Sequence, residues 1–144
     1  MVFCNIYSLS KKLILIKNVL LVDDDEDEVN IFNEALERAG ILCNCLWVES
    51  GLQVPYISPL PDMIFLDLNM PRVDGFECLK DIKQTPALIT VPVILYSTGM
   101  NSDLKKKGLL MGAAACIAKG YSITDLAETL KQIFTLPFAQ RASC

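Results

Sequence analysis

The chain has 144 residues, 52% hydrophobic and 21% charged, with a formal net charge of −4, the profile of a single globular domain and not of a disordered chain. Basic residues are scattered apart from Lys105-Lys106-Lys107, a run that reads as a solvated helix face, so nucleic acid is not an expected partner. Histidine is absent, which excludes Ser-His and Cys-His catalysis and rules out a phosphohistidine carrier.

Residues 1–17 precede any regular alternation and are read as an N-terminal extension; they lack the charged, apolar, then small pattern of a secretory signal. A reducing, cytoplasmic setting is the expectation, with the six cysteines as free, mostly buried thiols, since no C-x-x-C pair offers a zinc site. The longest uncharged run, residues 84–102, carries Pro86 and Pro92 and many polar residues, so no membrane span is expected.

Residues 19–28, VLLVDDDEDE, set a short apolar strand against six consecutive acids. Two carboxylates about 4 Å apart repel by about 4 kcal/mol at a near-surface dielectric, so the cluster needs a compensating charge or must splay into water. Apolar runs at 42–48, 63–66, 91–96 and 113–118 predict four further strands, several apolar throughout, as in a parallel sheet covered on both faces. Between them the spacing predicts helices over 26–39, from Asp74, over 101–111 and over 123–134, with capping-box spacing at Asp74/Glu77 and Ser122/Asp125. Residues 51–61, GLQVPYISPLP, hold three prolines where the alternation calls for a second helix, so that helix is expected to be short or degraded. The alternation implies one doubly wound α/β domain over residues 18–136, with a tail at 137–144.

In such sheets ligands bind outside the carboxyl ends of the strands. Asp23 and Asp24 end the first strand, Asp67 the third, Ser97 the fourth and Lys119 the fifth. Three acids, a hydroxyl and a lysine therefore converge on one edge. Such a carboxylate cluster suits a hard divalent cation, and a carboxylate beside that cation is a competent nucleophile toward phosphorus. A lysine and a hydroxyl then stabilise the transferring phosphoryl group.

Asp23-Asp24, the segment DLNMPRVDG from Asp67, then Ser97 and Lys119, together closely resemble the receiver domain of two-component response regulators, of the single-domain chemotaxis type. The resemblance implies a flavodoxin-like five-stranded sheet of order 2-1-3-4-5. It also implies a phosphorylation-activated switch that is not an enzyme with a small-molecule substrate. Asp67 would accept a phosphoryl group from a sensor histidine kinase or histidine phosphotransfer protein. Asp24 would ligate Mg²⁺ directly, Asp23 largely through water, and Asn69 through its backbone carbonyl, with Asp67 completing the set. Ser97 would bond the phosphoryl oxygen and Lys119 would pair with its charge. Output would pass to another protein through the face built from residues 101–111, 113–118 and 123–134, in a monomer or weak homodimer. On this reading Asp25 to Glu28 fall outside the site and serve the first helix's N-terminus.

Two positions depart from the family pattern. Gly120 replaces the proline that commonly follows the lysine and its cis peptide, and Cys116 replaces an aromatic switch residue. Two other readings stand beside this one. A haloacid-dehalogenase-type phosphatase needs a second aspartate where this chain has Asn69. A receiver-like module whose partner ignores phosphorylation would keep the same residues. An EF-hand reading of the acids fails, because Glu28 occupies the obligatory glycine position.

Overall fold

The computed structural model describes residue 16, residues 18–120 and residues 122–139. Most of the N-terminal extension, the end of the tail, Cys4 and Cys144 lie outside the described residues. Five strands, β1 (Asn18–Val22), β2 (Asn44–Val48), β3 (Met63–Leu66), β4 (Val93–Ser97) and β5 (Ala115–Ala118), alternate with helices α1 (Glu26–Arg38), α2 (Gly75–Gln84), α3 (Ser102–Leu110) and α4 (Ile123–Thr135). All strand pairs are parallel, in the order β2-β1-β3-β4-β5. The expected doubly wound order is present.

Where the second helix was expected, residues Gly51–Tyr56 form a 3-10 helix. Pro55 lies inside it, and a proline removes a backbone donor and stops propagation. Ser50 and Gln53 close a full capping box around its start, so its N-terminus is satisfied although the element is short. At α2, by contrast, the Asp74 carboxylate accepts from Phe76 N–H. Ser122 accepts from Asp125 N–H at α4 as its spacing suggests.

Strand alternation splits the core in two. Leu20, Val22, Ile64, Leu66, Val93 and Leu95 point to the side covered by α2, α3 and the 3-10 helix. Val19, Leu21, Met63, Phe65, Ile94 and Tyr96 point to the side covered by α1 and α4. Helix α1 buries Phe32, Ala35 and Leu36, and α4 buries Leu126, Ala127, Leu130 and Ile133, the i, i+3, i+4 stripe that an amphipathic helix presents to a sheet. On the exposed side of α1, Glu34 pairs with Arg38 at 2.6 Å. β2 and β5 each begin two residues later than the apolar runs suggest, and β4 begins after Pro92 and runs through Ser97.

Candidate functional site

The backbone places the site before any side chain does. Asp23 N–H donates to Val48 O, Asp67 N–H to Val22 O, and Lys119 N–H to Ser97 O. Each bond extends the parallel ladder by one residue past a strand end, so Asp23, Asp67, Ser97 and Lys119 are held in register at the carboxyl edge. Gly75 brings α2 close beneath this edge. A Cβ there would lie 2.5 Å from Leu68 Cα and 2.6 Å from Asp67 O, so only glycine permits the approach without moving the Asp67 backbone.

Carboxylate oxygens of Asp23, Asp24 and Asp67 lie within 4.8 Å of one another, with Asp23 and Asp67 buried and Asp24 exposed. Lys119 Nζ donates to Asp23 Oδ2 at 2.6 Å and to Asp67 Oδ2 at 3.4 Å. Asp25 N–H donates to Asp23 Oδ1 and Asn69 N–H to Asp67 Oδ1. On the other side, the Asn69 amide donates to Ser97 Oγ at 2.9 Å and to Thr98 O at 3.3 Å. The Ser97 hydroxyl in turn donates to Thr98 O. All six residues expected at the site are thus brought to one edge.

The electrostatics describe a site short of positive charge. Burial pushes the Asp23 carboxyl above its ordinary value, even though the Lys119 hydrogen bond and the Asp25 amide act the other way. Burial alone would lower the Lys119 ammonium, but the Asp23 hydrogen bond and the charges of Asp67, Asp23 and Glu28 raise it on balance. One lysine therefore faces several carboxylates, and the donor set consists of oxygen alone. Such a set fits a hard divalent cation and does not suit one that prefers nitrogen or sulfur.

Two residues at the site, Glu28 and Trp47, carry no strand-end signal in the sequence. Glu28, expected to serve only the helix N-terminus, turns inward and reaches Lys119 Nζ at 3.9 Å while accepting from the Tyr96 hydroxyl at 3.3 Å. The signal is a phenol that follows three aliphatic residues in a buried strand, since a buried hydroxyl needs a partner. Trp47, on β2, donates its indole N–H to Asp23 O at 2.8 Å. Asp25 does serve as the cap of α1, accepting from Asp27 N–H. The Lys119–Gly120 peptide is trans; among the described residues the cis bond is Ser58–Pro59. Cys116 is buried in the layer under α3, with its Sγ 3.7 Å from Lys105 O.

Residues 19–131 match the response regulator receiver domain family. Response regulator Rcp1 of Synechocystis sp. is 29% identical, covering 81% of this chain and 86% of its own length. The polar-differentiation response regulator DivK of Brucella abortus is 28% identical over 80% of this chain and 94% of its own. Among solved structures, the Mn²⁺-bound form of Rcp1 superposes with a TM-score of 0.70 at 29% identity, over 81% of this chain and 91% of that one. A response regulator of red-light signalling in R. palustris gives 0.75 at 25% identity, over 83% and 92%. The chain belongs to the response regulator receiver domain family. Membership implies signalling by phosphorylation and a kinase partner, and makes the chain a signalling domain and not an enzyme of the ordinary kind. Among the described residues no helix is long and apolar enough to cross a membrane.

Proposed function

We propose that this protein is a phosphorylation switch of the cytoplasm, its receiver unit spanning residues 18–136, in which Asp67 is the phosphoacceptor. The observation that carries this reading is the placement of Asp67. Its carboxylate is buried, shares the edge with Asp23 and Asp24, and lies 3.4 Å from Lys119 Nζ. A carboxylate oxygen of Asp67 attacks the phosphorus of a phosphohistidine on a sensor kinase or phosphotransfer protein. The new P–O bond forms as the P–N bond breaks, and the electron pair leaves on the imidazole nitrogen, which then takes a proton.

Asp23, Asp24, Asp67 and the Asn69 backbone carbonyl would hold Mg²⁺, which when bound supplies positive charge to the non-bridging phosphoryl oxygens. The chain's own residues do the remainder. Lys119 pairs with the charge added at Asp67. The Ser97 hydroxyl, which donates to Thr98 O, rotates to donate to a phosphoryl oxygen, and the loop after β4 follows it. Its movement shifts a pre-existing equilibrium of α3, β5 and α4. Output is then protein–protein contact at that face, by a monomer or weak homodimer.

Intact mass after incubation with acetyl phosphate tests the reading. One Mg²⁺-dependent phosphoryl adduct is expected in the native protein and none in Asp67→Asn. Absence of the adduct under conditions that label another receiver would instead favour a phosphate-independent interaction module.

A further inference from the structure

Tyr96 carries its hydroxyl into the apolar layer beneath α1, where the residue is 1% exposed. Glu28 Oε2 accepts that O–H at 3.3 Å. The bond orients the Glu28 carboxylate and leaves Oε1 facing Lys119, 3.9 Å from Nζ. The Tyr96 ring also lies beneath the ammonium, its centroid 5.3 Å from Nζ, within the range of a cation–π contact. An ammonium has three protons, and this one meets three carboxylates: Asp23, Asp67 and Glu28. Asp23 and Asp67 belong to the oxygen set that would hold a cation; Glu28 does not. Two of the three anions are shared, and the third is left to Lys119 alone.

We propose that Glu28, oriented by the Tyr96 hydroxyl, is a positioning residue for Lys119. It is the counter-ion that stays with the ammonium when Asp23 and Asp67 turn to a divalent cation. The inference rests on the reading of the site given above and adds a residue to it. Without Glu28, Lys119 leans on Asp23 and Asp67 only, and competes with the cation for their oxygens. Lys119 therefore has a place to stand that does not close the site.

Two readouts on the full chain test this, the first without metal. In protein carrying ¹⁵N-lysine, Glu28→Gln is expected to speed proton exchange of the Lys119 ammonium about threefold, the scale of a partly exposed ion pair. Tyr96→Phe leaves every charge in place and is expected to give a smaller change in the same direction. The second readout is Mg²⁺ affinity, followed by fluorescence of the single tryptophan, Trp47, whose indole bonds to the Asp23 carbonyl. Glu28→Gln is expected to weaken Mg²⁺ about threefold in the native background, again on the scale of one partly exposed pair, and to have no effect in Lys119→Met. Equal weakening in both backgrounds would mean that Glu28 adds only charge to the field, and the proposal falls. Unchanged ammonium exchange in both single variants overturns it as well. A native protein without any Mg²⁺ response would sink the site reading instead, and the metal-free exchange then decides the role of Glu28 by itself.

Discussion

Against one face of the sheet, α1 and α4 close over Phe32, Phe65 and Tyr96, whose rings meet edge-on at centroid separations of 4.9, 5.9 and 6.5 Å. Against the other, α2, α3 and the 3-10 helix cover mostly aliphatic side chains, a lone ring at Phe76 and the thiols of Cys78 and Cys116, with close approaches at Gly51, Gly75 and Gly108. The aromatic face reaches the site through Tyr96, Glu28 and Lys119, a chain of hydrogen bond and charge. The aliphatic face meets it through Gly75, which sets the height of Asp67, and through α3, which follows the Ser97 loop. The contrast separates a face locked by interlocking rings from a face locked by close approach, where a Cβ at Gly51, Gly75 or Gly108 would meet its neighbours at 2.4–2.6 Å.

The comparison breaks most easily at Phe65. It is fully buried between Phe32 and Tyr96, so Phe65→Ala is expected to lower unfolding free energy by about 3–5 kcal/mol in urea titration. Leu66→Ala, on the opposite face of the same strand, is expected to cost about 2–3 kcal/mol because its smaller neighbours can close in. Equal losses at the two positions would remove the distinction between the faces.

Gly75→Ala comes next in size. Alanine is ordinarily the better helix residue by about 1 kcal/mol, but its Cβ would press on the Leu68 and Asp67 backbones, which have no flexible end to move. A net loss of about 2 kcal/mol is expected, together with a slower Mg²⁺-dependent gain of phosphoryl mass than the stability loss explains. A stabilised variant with a normal adduct would show that the approach of α2 does not set the position of Asp67.

Much of this was legible in the sequence, for a reason that is physical. A strand apolar on both faces can sit only inside a covered sheet, so Val19 to Val22 and Met63 to Leu66 announce themselves, and the residues just after them must share the carboxyl edge. Asp23, Asp24, Asp67, Ser97 and Lys119 follow from that rule without knowledge of any distance. Glu28 does not, because its role depends on which way α1 turns its first inward residue, and on Tyr96 needing an acceptor from another element. The boundaries of β2, β4 and β5 also escape the pattern. Leu42, Val91 and Ala113 are apolar like strand residues, but Gly40 and Gly112 hold positive φ shortly before two of them, and Pro92 precedes the start of β4.

A smaller effect is the response to pH of Cys78, a thiol that α2 buries against the sheet. Burial pushes the Cys78 thiol up from 9.0 to about 12, and its Sγ lies where a Cβ on Gly51 would meet it at 2.6 Å. A folded-state value above the unfolded one means that no stability is lost below pH 9. As pH rises past 9, the unfolded thiol ionises and the folded one does not, so stability falls until the folded value is reached. At pH 10 this thiol alone is expected to cost about 1.4 kcal/mol. Cys78→Ala has no thiol to ionise, so the stability gap between it and the native protein should narrow between pH 8 and pH 10. A constant gap would show that the thiol is not held away from water.

The smallest expected effect lies at Asn69, where the two halves of the site meet. Its side chain is exposed, yet its amide spans from the loop after β3 to Ser97 Oγ and Thr98 O. Asn69→Ala removes both bonds and leaves the backbone N–H to Asp67 Oδ1 and the backbone carbonyl in place. Because water can replace exposed hydrogen bonds, the global cost is expected to be only about 0.5 kcal/mol. The local cost is larger, since Thr98 and Gly99 follow the buried Ser97 into an exposed loop. Amide hydrogen exchange should therefore accelerate at Thr98, Gly99 and Met100, while Asp23, Asp25 and the strand amides of β1 keep native protection. If exchange rises equally around Asp23, the charged half of the site is not independent of the loop half. If it rises nowhere, the Asn69 amide does not restrain Ser97, and the hydroxyl is already free to turn toward Asp67 before any phosphoryl group arrives.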